Sequence, residues 1–438
     1  MRTYAGAPHL LIRFKNQCRV MLSMKILFIH QNFPGQFKHL APLLAARGHQ
    51  CVALTLRAKE PANRNGVRLV PYRLPKRSGQ NLHPWLIDLD TKLTRGEACY
   101  RAARALRDKG FTPDLILAHP GWGESMFLND VWPAARIGLY CELYHQADYP
   151  HLHFDPEFDK GDAELSRLRI RMKNLNNHLH APIMDAGISP THFQAETFPE
   201  DFRERITICH DGIDSAVARP DPDVRLTLDD MPELTRADEV ITFVNRNLEP
   251  YRGYHIFMRA LPRLLVERPD ARVVIVGGDE VSYGPRPPSG QTWKQVFIDE
   301  VRADIPDADW ARVHFAGRIA YDDFTRLLQV SRVHVYLTYP FVLSWSLLEA
   351  MSCGAAIVAS DTAPVREVLS HDDNGRLVDF FDGDALVGEV CDLLDDEAAR
   401  RRLGEAARAT VLARYDLQTI CLPRQLDWVS QIMDGAPV

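Results

Sequence analysis

No run in this sequence approaches the roughly 18–20 consecutive apolar residues that a helix needs to cross a bilayer, although hydrophobic residues fill 46% of its 438 positions. Charged residues make up 25%, the balance of a folded water-soluble protein. Nor is there an excess of positive charge: the formal net charge is −6, which offers no field for nucleic acid. Cysteine is sparse and scattered, at positions 18, 51, 99, 141, 209, 353, 391 and 421, with no C-x-x-C and no metal-ligand spacing. Reduced, mostly buried thiols in a cytosolic protein are the expectation. A P-loop, an H-E-x-x-H helix and a G-x-S-x-G elbow are all missing. Gly121-Trp122-Gly123 lacks the third glycine and the opening position of a dinucleotide fingerprint.

What is present is strand–helix alternation, twice. The length suits two domains of about 200 residues each. Residues 1–23 are basic, with neither a long apolar core nor a small-residue cleavage site. They are expected to be an extension ahead of a first domain at 24–218. Lys25-Ile26-Leu27-Phe28-Ile29-His30 reads as a buried strand, residues 36–47 as a helix stopped by Gly48, and Cys51-Val52-Ala53-Leu54 as the next strand. Leu115-Ile116-Leu117-Ala118 and Ile137-Gly138-Leu139-Tyr140 follow. A polar, proline-containing linker at 219–238 precedes a second domain at 239–415, with strands at 240–244, 272–276, 313–315, 333–337 and 355–359. Residues 416–438 read as a helix and tail that cross back to the first domain. The fold class is therefore α/β: two doubly wound, Rossmann-like domains facing a central cleft. In such sheets ligands bind beyond the carboxyl ends of the strands.

Three segments could carry chemistry there. Ser344 is a good helix N-cap, and the amides of Trp345, Ser346 and Leu347 would then face an anion. Glu349, one turn deeper, has a carboxylate suited to a pair of vicinal hydroxyls. A nucleoside diphosphate presents both groups at about that separation. An ordinary amphipathic helix with one solvated Glu fits the same residues. Arg246 and Arg252, beyond a strand end, could clamp a diphosphate with forked, charge-assisted bonds, or be merely solvated. Phe315-Ala316-Gly317-Arg318 lets backbone approach a planar base.

Taken in order, these elements resemble the GT-B glycosyltransferases, specifically the retaining group of family 4. The family shows a strand-Gly-Arg element with a following Lys-Gly, a strand ending in glycines, a Phe-x-Gly loop and E-x7-E-A-M-A-C-G. Here the counterparts are Asn245-Arg246 with Arg252-Gly253, Val276-Gly277-Gly278, Phe315-Ala316-Gly317 and Glu349-Ala350-Met351-Ser352-Cys353-Gly354. Asp211-Gly212-Ile213-Asp214 and Asp373-Asn374-Gly375-Arg376-Leu377-Val378 match two further family turns. His30-Gln31-Asn32-Phe33-Pro34-Gly35-Gln36-Phe37 is similar to a bacterial branch associated with envelope and exported polysaccharides, and Gly35 counts among its donor-side residues. The sequence departs from the family in two places. Phe341 stands where the first Glu of E-x7-E would fall, and the clamp lysine is Arg252. The family also offers a His beyond the fifth strand of the first domain to the donor sugar. The positional match taken here is Glu142, with His145 three residues on.

The resemblance implies sugar transfer from a nucleotide-diphosphate donor with retention of configuration and no metal or cofactor. Arg246, Arg252 and Glu142 would be catalytic. Gly35, Gly317, Arg318, Ser344, Trp345, Ser346 and Glu349 would bind the donor. The acceptor would be lipid-linked or an oligosaccharide, with the enzyme in the cytoplasm, in peripheral contact with the inner face of the membrane. A transferase to a small soluble acceptor and a non-catalytic nucleotide-sugar or partner-binding module stay open. Asp88-Leu89-Asp90 is a D-x-D, but it precedes a helix instead of following a strand. Leu165, Leu168, Met172, Leu175 and Leu179 at 3-4-3-4 spacing, with Arg167, Arg169, Arg171 and Lys173 between them, read first as a packed helix with basic flanks. A face resting on anionic lipid is the other reading.

Overall fold

The computed structural model describes residues 23–75, 81–146, 148, 152–159, 161–229 and 231–435. The basic segment 1–22 lies outside them. The first sheet contains β1 (Lys25–Ile29), β2 (Gln50–Thr55), β3 (Ala62–Arg64), β4 (Val67–Pro71), β5 (Leu115–Ala118), β6 (Arg136–Tyr140), β7 (Ala186–Ser189) and β8 (Ile206–Ile208). Their spatial order is β3-β4-β2-β1-β5-β6-β7-β8, and only the β3–β4 pair is antiparallel. A short ribbon, β9 (Arg225–Leu226) with β10 (Leu234–Thr235), follows. The second sheet contains β11 (Val240–Asn247), β12 (Arg272–Gly278), β13 (Val313–Gly317), β14 (Val333–Tyr336), β15 (Ala356–Ser360) and β16 (Arg376–Val378). It is wholly parallel, in the order β13-β12-β11-β14-β15-β16.

The two sheets are therefore wound outward from β1/β5 and from β11/β14. Buried on both faces, their strands are continuous apolar runs, as in β1, where Ile26 to Ile29 are fully buried. At each pair the chain leaves in opposite directions, so a crevice opens beyond the strand ends. That topology places His30 and His119 side by side on the first sheet. On the second it places residues 245–247 next to the loop that leads to Ser344.

The leucine stripe is not a packed helix. It breaks into the helices Ala163–Lys173 and Leu175–His180 at Asn174, whose side chain bonds the backbone N–H and C=O of His145. Leu165, Leu168 and Leu179 remain 52%, 44% and 48% exposed. Residues 219–238, read as a linker, carry the β9–β10 ribbon, with Val224, Leu226 and Leu234 buried against Val240, Val274 and Leu327. Past a bridge between Ile213 and Asp416, the helix Leu422–Asp434 lies on the first sheet. Gly138 of β6 admits it, because a Cβ there would come within 2.7 Å of Ile432 and 2.9 Å of Trp428.

A second crossing joins the halves. Phe154 packs on Tyr339, Phe380 and Phe381, and Phe158 on His255, Trp293 and Phe297. Between them Asp155 accepts from Tyr339 Oη at 2.6 Å and pairs with His255 Nε2 at 3.0 Å. Burial opposes its charge, yet His255 and Tyr339 hold its carboxyl below the ordinary range. Glu157 meets Arg259 in a two-bond fork.

Candidate functional site

A cavity of about 630 Å³ lies between the two crevices. From the first half come Gly35, Gln36, His30, His119, Trp122 and Glu142, and from the second Arg246, Tyr283, Phe341 and Trp345. A neighbouring cavity of about 300 Å³ adds Arg252 and Ser344. Gly35 borders the first at φ +47°, and a Cβ there would lie 2.2 Å from the His30 ring. Only glycine combines that backbone with that approach.

The two histidines are oriented by backbone amides. Asn32 N–H donates to His30 Nδ1 at 3.0 Å and Gly121 N–H to His119 Nδ1 at 3.1 Å, so each neutral ring carries its proton on Nε2. His30 Nε2 reaches Gln36 Oε1 at 2.8 Å, and Gln36 Nε2 faces Glu142 at 3.5 Å. His119 stacks on Trp122 and Tyr140. Its buried Nε2 points at Glu142 across 3.4 Å but completes no hydrogen bond among the described residues. Burial, then the neighbouring His119, lower His30 to about 3, so it is neutral at physiological pH. For Glu142, burial favours the acid, but His119, His30 and Arg246 outweigh it and hold the carboxyl below its usual value.

Opposite, Arg246 projects from the end of β11 with no hydrogen bond or ion pair among the described residues. Arg252 is buried and has no acid partner there either. It donates to Thr338 Oγ1 at 2.8 Å and Val342 O at 3.0 Å, under the rings of Tyr283 and Phe341. Buried Glu249, which sequence reasoning passed over, accepts from the amides of Ser282, Tyr283 and Gly284 and so fixes Tyr283 in place.

Ser344 caps the helix Trp345–Ser352 as expected, but fewer amides are free than the sequence reading assumed. Ser346 N–H is taken by Ser344 Oγ at 3.3 Å, and Ser344 N–H by Tyr336 Oη at 2.9 Å. Trp345 and Leu347 keep amides with no partner among the described residues. Glu349 is half-buried, and its carboxylate is not free: Tyr321 Oη donates to Oε1 at 2.8 Å. Burial raises its pKa against the pull of Tyr321 and Lys38. It borders a separate recess of about 30 Å³ behind Trp345. Gly317 and Arg318 border none of these cavities. They end the edge strand β13, where Arg318 bonds Glu280 and Asn247.

The halves also meet at Asp211, which accepts from Trp345 Nε1 at 2.8 Å and Tyr140 Oη at 3.1 Å. Burial pushes this carboxyl from 3.8 up to about 7, although both bonds oppose the rise. The folded state thus holds the proton more tightly than the unfolded chain. The stability this group contributes is complete below about pH 4 and is lost as pH rises to about 7. Asp211→Asn mimics the protonated acid and keeps an acceptor oxygen. Its melting temperature, relative to wild type, is expected to climb between pH 4 and 7 and level off above. A constant difference over that range would mean that Asp211 does not titrate there.

The family model for the glycosyl transferase family 4 group matches residues 47–218, and that for glycosyl transferases group 1 matches residues 229–410. The chain belongs to the family 4, group 1 glycosyltransferases. It is similar to the phosphatidyl-myo-inositol mannosyltransferase of Mycolicibacterium smegmatis, with 31% identity over 46% of this chain and 47% of that protein. It is also similar to the N-acetyl-alpha-D-glucosaminyl L-malate synthase of Bacillus anthracis, with 31% identity over 25% and 28% of the two chains. The chain spans about half the length, or less, of the curated relatives it matches. Its fold is that of the sucrose-phosphate synthase of Thermosynechococcus elongatus, at a TM-score of 0.68 and 16% identity, covering 94% of this chain and 100% of that one. Anabaena HepE, solved with UDP and glucose, has the same fold at a TM-score of 0.63 and 16% identity, covering 93% and 100%.

Within this family member, His119 is the residue that sequence reasoning missed. It stands directly after β5, as His30 stands directly after β1. That position, one residue past a buried apolar run, was the available signal. Glu142 does reach the cavity, where it faces His119 Nε2 across 3.4 Å.

Proposed function

We propose that the protein transfers a sugar, with retention of configuration, from a nucleotide-diphosphate donor to an acceptor in glycolipid or polysaccharide assembly. The observation that carries this reading is the opposition, across two adjoining cavities, of Arg246 and Arg252 to His119 and Glu142. Arg246, Arg252 and the Trp345 amide make a positive site for a diphosphate, while an unspent His119 Nε2–H waits for a sugar hydroxyl. The acceptor oxygen would attack the anomeric carbon from the face the diphosphate leaves. As the C1–O bond breaks, the acceptor proton passes to a departing phosphate oxygen. No side-chain nucleophile enters, and the protein's work is positioning and stabilising charge that grows on the diphosphate. Glu349 would hold the ribose. Phe341 supplies an aromatic wall in place of a carboxylate, so the donor sugar would be gripped differently here than in relatives with the full motif. The mannosyltransferase relatives and the exposed Leu165, Leu168 and Leu179 beside Arg167 and Arg171 favour a lipid-linked acceptor and contact with the membrane face; no helix among the described residues is long and apolar enough to span it.

A panel of nucleotide sugars screened by thermal stabilisation tests the reading, since a ligand at 100 times its Kd adds about 2.7 kcal/mol. Slow hydrolysis of the hit to the sugar of the same anomeric configuration is the expected product. Stabilisation by none of the panel would overturn the proposal, and binding without turnover would favour the non-catalytic alternative. Because two arginines already supply the positive charge, activity should persist in excess EDTA. Complete loss, restored by Mg²⁺ or Mn²⁺, would point instead to a cation as the diphosphate's partner.

A further inference from the structure

Beyond Tyr283 the main cavity has a neighbour that the transferase reading leaves unused. It is a pocket of about 280 Å³ between the helix Ala163–Lys173 and the second half of the molecule. Ser166, Arg169 and Lys173 form one wall, and Tyr251, Tyr283 and Tyr339 the other. Its size lies just below the roughly 300–1,000 Å³ range of ligand cavities. Tyr283 borders both spaces.

Arg169 and Lys173 share this pocket with two carboxylates, Asp155 and Asp159. Arg169 and Lys173 lie one helical turn apart, a spacing at which like charges repel. Neither has an ion-pair partner among the described residues. Burial, followed by the charge of Arg169, lowers the Lys173 pKa; Asp88 opposes the shift and Lys92 adds to it. The acid nearest to Lys92, Asp88, is already paired with it at 2.9 Å. The pocket's own acids are also engaged: Asp159 with His153 Nδ1 at 2.7 Å, and Asp155 with Tyr339 and His255. Two cations thus face an aromatic wall across a pocket that is also lined by the segment 152–159, itself clamped to the second half.

We infer that this pocket is an acceptor subsite, in which Arg169 and Lys173 bind a phosphate group carried by the acceptor while the tyrosines line the path to the sugar-transfer cavity. The inference rests on the transferase reading. Two cations one turn apart suit a phosphate's several oxygens, and flat aromatic faces suit the apolar faces of a sugar or polyol. Leu165 and Leu168, exposed on the same helix, would let a lipid-borne phosphate enter from a membrane surface.

The test uses the full chain and glycerol 3-phosphate as probe, with binding followed by calorimetry. Arg169→Ala/Lys173→Ala is expected to weaken binding at least tenfold, while Arg169→Lys/Lys173→Arg, which keeps both charges, should stay within about threefold of wild type. Arg246→Ala should leave this affinity in place. If Arg246→Ala abolishes binding and the double alanine variant retains it, the phosphate sits in the main cavity and the subsite is disproved. No binding at all by wild type to this probe or to vesicles also disproves it. A parallel arm uses phosphatidylglycerol vesicles against phosphatidylcholine vesicles. Dependence on the pair with phosphatidylglycerol alone supports a phosphate presented by lipid, and dependence with both glycerol 3-phosphate and vesicles supports the headgroup itself as ligand. Titration with UDP and GDP reads the transferase proposal separately. Nucleotide binding with equal phosphate affinity in wild type and the double alanine variant would sink the subsite alone. Pair-dependent phosphate binding with no nucleotide binding would leave the anion site standing and remove the transferase reading.

Discussion

Replacing Arg246 by alanine should lower turnover by about 10²- to 10³-fold while the protein stays folded, the loss seen when one preorganised donor to transition-state charge is removed, about 2.7–4 kcal/mol. Its side chain is exposed and without a partner among the described residues, so stability should move by no more than about 0.5 kcal/mol. Turnover of the nucleotide sugar found by screening, measured beside a melting curve, checks both halves of this expectation. A folded variant with unchanged turnover would take Arg246 out of the site. Arg252 should behave differently. Its guanidinium is buried and satisfies Thr338 Oγ1 and Val342 O, so Arg252→Ala should cost stability as well as rate, about 1–3 kcal/mol for the groups left unpaired. Arg252→Lys keeps the charge and should be milder in turnover. Equal losses would show that the fork, not the charge, is what the site uses.

Glu349→Gln should weaken donor binding about tenfold to a hundredfold, the effect of losing one charge-assisted bond worth about 1.5–3 kcal/mol. The structure adds a condition. With Tyr321 on Oε1 and only about 30 Å³ beside the carboxylate, ribose binding there is expected to part the two halves. That movement would separate Trp345 from Asp211 and Lys38 from the Tyr321 ring. The substitution should therefore act on donor affinity and leave the acceptor KM nearly unchanged. It should matter less for a 2′-deoxyribose donor, in which one partner hydroxyl is already gone. Titrating ribo and deoxyribo donors into wild type and variant closes a thermodynamic cycle on this contact. An unchanged ribo-to-deoxyribo ratio would return residues 344–354 to a purely structural helix.

Much of the fold was legible because the central strands of both sheets are parallel and buried on both faces. Each central strand had to be an unbroken apolar run, as in Lys25-Ile26-Leu27-Phe28-Ile29 or Arg272-Val273-Val274-Ile275-Val276, and such runs stand out from single-sequence pattern. The unread strands include Ala186–Ser189, which contains a glycine, Ile206–Ile208, which has three residues, Ala62–Arg64, which is exposed, and Val67–Pro71, whose apolar run is interrupted by Arg68. The leucine stripe misled for a related reason. Its 3-4-3-4 spacing records amphipathicity but not what, if anything, covers the apolar side, and here Leu165 and Leu168 are left open.

At the site the division follows the distance over which each interaction acts. Ser344 as a cap and Gly35 as the break after the first strand are local choices of backbone and side chain, so the sequence alone determined them, together with the family motifs and the positions of both sheets' central strands along the chain. Which amides, carboxylates and rings are already taken was decided only in three dimensions. Tyr321 reaches Glu349 from 28 residues away, Asp211 joins Tyr140 to Trp345 across 71 and 134 residues, and Asp155 meets Tyr339 across 184. The same holds for His119, which became a cavity residue because β5 lies beside β1 where the winding reverses. Arg169 and Lys173 likewise gained an aromatic wall from the other half of the chain. A hydrogen bond depends on a few tenths of an ångström between groups that folding brings together, and no spacing along the chain encodes that distance.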